Sequence, residues 1–129
     1  MFLISCKSNP EQYVEKTDLQ PSIALQSMYL VDLQSCADYV GALTLTSDLD
    51  SLQFYFKEAR TQFKKVEPLL SFQDLNNYSF LNAPNLLKVE EEDLTDIKIN
   101  EPSSFQTLEE NIFSDAPDID AVHKTAGKI

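Results

Sequence analysis

With 129 residues and 43% apolar content, the chain is long enough for one small domain and too apolar for a fully disordered one. Its net charge is −11, and residues 88–120 alone hold eleven acids against two lysines. That sign excludes a nucleic-acid binder, which needs a basic face. Two glycines in all, Gly41 and Gly127, argue against nucleotide loops, tight hairpins and β-rich folds.

The chain opens with Leu3-Ile4-Ser5-Cys6, which resembles a bacterial lipobox. There a branched residue at −3 and a small one at −1 fit the signal peptidase, and the cysteine thiol is acylated. Met1 to Ser5 is too short for a charged n-region and an apolar h-region, so the expectation is a truncated signal, with residues 1–21 its remnant and a polar tether. Acyl chains on Cys6 would anchor the chain to a membrane. The other reading is a buried or free N-terminal cysteine. The second thiol, Cys36, falls on an apolar stripe and reads as a buried structural residue. No C-x-x-C-H is present, so c-type haem cannot attach within this chain.

Residues 22–129 read as the folded region. Leu25, Tyr29, Leu33, Cys36, Val40 and Leu43 recur in steps of four and three, predicting a helix over about 22–45 that starts just after Pro21. Thr46-Ser47-Asp48 offers capping oxygens for the next. Leu49, Leu52, Phe56, Ala59, Phe63, Val66 and Leu70 then form a two-heptad seam, predicting a helix over about 48–70 that Pro68 ends or kinks. Asn76-Asn77, Asn82-Ala83-Pro84-Asn85 and Glu101-Pro102 mark residues 71–103 as mostly irregular. The acids Glu90-Glu91-Glu92-Asp93 lack the alternating ligands and central glycine of a calcium loop and read as a solvated run, with steering of a basic partner the sharper alternative. Short helices follow over about 104–113, with Phe105, Leu108, Ile112 and Phe113 on one face, and about 118–129, through Ile119, Val122 and Ala126. The predicted fold is all-α: an up-down antiparallel bundle, incomplete in itself, with a long irregular acidic loop.

Three segments carry a family resemblance. Phe56-x-x-Ala59-Arg60-x-x-Phe63-Lys64-x-x-Glu67, Phe80-Leu81-Asn82-Ala83-Pro84 and Glu101-Pro102-Ser103-Ser104-Phe105-Gln106-Thr107-Leu108-Glu109-Glu110 occur in that order. Together they resemble the imelysin-like N-terminal region of bacterial di-haem cytochrome c peroxidases, over roughly residues 25–129. The resemblance implies a lipid-anchored accessory or docking region in the periplasm or cell envelope. It implies no cofactor here, haem c in a downstream domain that reduces hydrogen peroxide, and a haem peroxidase domain or donor cytochrome as partner. The chain itself is then no enzyme. The alternative it implies is a stand-alone imelysin-like lipoprotein that binds a ligand or iron. Imelysin-like proteins carry a G-x-H-x-x-E motif, and here Ser104 and Gln106 replace the glycine and histidine. Glu109 alone is a weak metal candidate.

Arg60 is the chain's one arginine, and Glu67 follows two turns later on the same side of the seam. Two readings stay open: a structural ion pair or network with Glu67 and Glu109, or a ligand site with Arg60 as its clamp. The lone histidine, His123, sits among Asp118, Asp120 and Lys124 and reads as solvated. Ser114 with His123 lacks a nucleophile elbow, and no catalytic residue is assigned.

Overall fold

A computed structural model describes residues 19–93 and 96–129, with side chains described for 22–88 and 100–129. Cys6, the lipobox and most of the tether lie outside the described residues. The described chain runs α1 (Leu19–Leu43), α2 (Leu49–Gln73), α3 (Leu75–Leu81), β1 (Lys88–Asp93), β2 (Asp96–Asn100), α4 (Phe105–Phe113) and α5 (Ile119–Ala126). It is mostly helical.

Helices α1 and α2 form the expected antiparallel pair across a short turn. Thr44 and Leu45 close that turn by donating to the Gly41 and Ala42 carbonyls at 3.1 Å each. The Asp48 carboxylate then caps α2, accepting from the Ser51 backbone at 3.0 Å and its hydroxyl at 2.6 Å. The α2 seam is buried at Leu52, Phe56, Ala59, Phe63, Val66 and Leu70, as its spacing requires. Leu49 is the exception at 37% exposed, since it sits in the first turn beyond the core's edge. Helix α1 begins before Pro21, which an open first helical turn tolerates.

Pro68 neither ends nor breaks α2, which continues to Gln73. The proline faces solvent, so the carbonyl one turn earlier loses its N–H where water is at hand. The Ser71 hydroxyl takes up the Pro68 carbonyl at 2.9 Å.

The segment from 71 to 103 is also more ordered than its turn residues suggest. Asp74 accepts from the Asn77 backbone at 3.1 Å and its side-chain amide at 2.6 Å, starting the short helix α3. The acidic run pairs as an antiparallel hairpin, with Val89 opposite Ile99 and Glu91 opposite Ile97, and an irregularity between Glu91 and Asp93. An all-α description therefore holds for the packed body and omits this two-stranded ribbon.

Ser104 caps α4 at the Thr107 backbone, and Asp118 caps α5 at the Ala121 backbone, at 3.3 and 2.9 Å. The two helices close the core over α2. The Phe63 and Phe105 rings lie 4.7 Å apart at its centre, with Phe56 6.4 Å from Phe105. Leu108, Ile112, Val122 and Ala126 complete it.

Among the described residues, helix α1 is fully buried in this core only in its second half, at Cys36, Val40 and Leu43. Of the predicted stripe, Tyr29 packs at the edge, Leu33 is 37% exposed and Leu25 is 60% exposed. Ile23, Met28, Leu30 and Val31 are exposed as well. They point in different directions around the helix, and Asp32 is the only charge between residues 22 and 37. A helix apolar on every side is the composition of a buried one.

Candidate functional site

Residues from the three segments singled out in the sequence line one groove. The α2 seam carries Arg60 inward beside Phe63, and α4 lays Phe105 against the same ring. The guanidinium carbon of Arg60 sits 5.7 Å from the Phe63 centroid and 5.5 Å from that of Phe105. Cation–π attraction holds it there. Asn82 from the end of α3, with Gln106, Glu109, Glu110, Phe113 and Ser114 of α4 and its cap, completes an open groove of about 620 Å³.

Arg60 has no hydrogen-bonded or ionic partner among the described residues. Its Nη1 is closed off from water with no acceptor. The expected pairing with Glu67 is not made, and that carboxylate turns to other partners. Glu67 Oε2 accepts from Lys64 Nζ at 2.7 Å and Oε1 from Asn82 Nδ2 at 2.9 Å. Two turns of separation leave Arg60 acting on it through space alone. The Lys64 hydrogen bond first, with the Asn82 bond and the charges of Lys64 and Arg60, holds the Glu67 carboxyl below its usual range against the opposing effect of burial.

Glu109 is exposed and lines the groove with Arg60 without forming an ion pair. Glu110 is committed elsewhere, accepting from Gln106 Nε2 at 3.1 Å and from Asn85 Nδ2. Gln106 turns its amide to Glu110, and among the described residues no three His, Cys, Asp or Glu side chains converge as a metal site would need.

His123 is half-buried, not solvated. Its Nε2–H donates to the Thr46 carbonyl at 2.8 Å, fastening α5 to the α1–α2 turn. No sequence signal spans those 77 positions. On the outer side of α5, Lys124 pairs with Glu101. Cys36 is buried and unbridged, and its thiol donates to the Ala59 carbonyl at 3.4 Å. Burial pushes that thiol up to about 11. No described helix is long and apolar enough to cross a membrane.

No protein-family model matches the chain, and neither a curated protein nor a solved structure matches it.

Proposed function

We propose that the chain is a non-catalytic docking region that completes a larger helical assembly. Specifically, it is the imelysin-like accessory region of an exported di-haem cytochrome c peroxidase-like protein. The observation that carries this reading is the first half of α1. Leu30 is 54% exposed and Val31 63% exposed on a helix with almost no charge, so the described residues leave much of its apolar surface uncovered, with only Tyr29 reaching the core and Asp32 reaching Lys65. The three ordered segments of family resemblance supply the identity of the assembly. In this reading hydrogen peroxide is reduced at haem c in the downstream domain. Lipidation of Cys6 holds the protein at the cell envelope.

The test is a calorimetric titration of the chain against a di-haem cytochrome c peroxidase from the same cell. Saturable binding is expected, and the pair Leu30→Lys and Val31→Lys should weaken it at least about tenfold, since each places an unpaired charge in an apolar interface. No binding, or binding indifferent to both substitutions, rejects the docking reading. A second reading, a stand-alone ligand-binding lipoprotein, is favoured by one observation, the unpartnered Arg60 in its groove.

A further inference from the structure

We infer that the Arg60 groove is a binding site for a zwitterionic amino-acid-type ligand, with its carboxylate on Arg60 and its ammonium on Glu109. The inference stands on the groove alone and is independent of the docking reading.

Arg60 is the anomaly. In a chain of net charge −11 its one arginine would be expected to sit against a carboxylate. Instead it rests over two phenylalanine rings with Nη1 buried and unpaired. Buried polar groups in folded proteins almost always have partners, so each exception asks for a reason. The aromatic faces stabilise the charge but accept no strong hydrogen bond, which leaves Nη1 unmet and no acceptor among the described residues for the rest of the fork. A carboxylate is the acceptor whose geometry matches that fork.

The protein does not supply it. Both oxygens of Glu67 are taken by Lys64 and Asn82, and both oxygens of Glu110 by Gln106 and Asn85. Neither carboxylate turns an oxygen to the guanidinium, which is left without an acceptor among the described residues. Glu109 is different: it lines the same groove and has no partner among the described residues. It offers a place for a cation close to the anion seat.

Charge selects the ligand class. A dianion such as phosphate would meet Arg60, and Lys57 over the Phe113 ring at 5.6 Å, but also Glu109, Glu110 and the negative field of the whole chain. A plain amine would meet the cation of Arg60. A molecule bearing one carboxylate and one ammonium satisfies both ends and adds no net charge. The exposed edge of Phe113 on the groove wall gives an apolar side chain a surface to cover.

The experiment is a titration of the whole chain followed by NMR at the Arg60 Nε–H resonance. The probes are L-phenylalanine, 3-phenylpropionate, phenethylamine and inorganic phosphate. L-phenylalanine should move that resonance saturably with a Kd of about 1 mM or below, and bind at least about tenfold tighter than each of the other three. Glu109→Gln, at an exposed position, should leave the fold intact and bring L-phenylalanine down to the level of 3-phenylpropionate. Arg60→Lys keeps the charge, loses the fork, and should weaken L-phenylalanine about tenfold. The inference is overturned if L-phenylalanine fails to saturate by ~10 mM. Tighter binding of phosphate, or equal binding of L-phenylalanine to the wild type and Glu109→Gln, overturns it as well.

Discussion

At the scale of single residues, two titrating groups give the fold opposite pH limits. Glu67 ties α2 to the end of α3 through Asn82, and its folded pKa lies below the ordinary 4.5. A depressed carboxyl contributes stability that is present above the unfolded value and is lost as pH falls through the folded one. The wild type should therefore lose more stability than Glu67→Gln between pH 6 and about pH 3 in paired thermal melts. The Cys36 thiol is raised from 9.0 to about 11 by burial. It is neutral in both states below 9, so its effect begins there. As pH rises from 9 toward 11 the unfolded thiol ionises while the folded one does not, and stability falls. In a Cys6→Ser background, Cys36→Ala should reduce that alkaline loss, read from denaturant midpoints at pH 8 and pH 10.5. An equal loss in both proteins would contradict the buried thiol.

Arg60 shows where residue-level reading stops. Its place beside the seam was legible from spacing, and so was the choice between a structural pair and a ligand clamp. Its actual isolation was not. The neighbouring carboxylates turn instead to Asn82 and Asn85, 15 and 25 positions away, and no spacing rule reports that. His123 is the same case, because a carbonyl partner 77 positions away leaves no mark on the sequence.

At the scale of elements, the legible parts were those with a long period or a capping residue. The α2 seam spans six buried positions, and Asp48, Ser104 and Asp118 mark three helix starts. Pro68 does not end α2, since it is exposed and water can take up the carbonyl left without its N–H. The hairpin was missed because Ile97-Lys98-Ile99 alternates over too few residues to stand out from the acidic run. A two-stranded ribbon of that kind is marginal by itself. Gly41 gives a test within an element. It lies in the last turns of α1 on an exposed face, with open space where a Cβ would go. Gly41→Ala should stabilise the protein by about 0.5–1 kcal/mol, raising the denaturant midpoint without changing the slope. A loss of stability would mean that this turn of α1 is not helical.

At the scale of the whole molecule, the packed body and the open helix belong to different regimes. Residues from Cys36 onward in α1 share a core with α2, α4 and α5, and the turns before it touch the body through Tyr29 and the Asp32–Lys65 pair at 3.5 Å. The turns before it hold Ile23, Leu25, Met28, Leu30 and Val31 in water. At about 25 cal/mol per Å² of apolar surface, covering them would contribute several kcal/mol to an association. An α1 period alone could not reveal this, since the same stripe reads on through both halves. Only the end of the core at Cys36 separates them.

The most direct test of the docking account is amide hydrogen exchange across α1, for the chain alone and with the di-haem cytochrome c peroxidase added. The account predicts that amides between 22 and 33 exchange fast in the free chain and slow at least about tenfold in the mixture, while those from 36 to 43 are protected in both. Strong protection of residues 22–33 in the free monomer, or no change on adding the peroxidase, would contradict it.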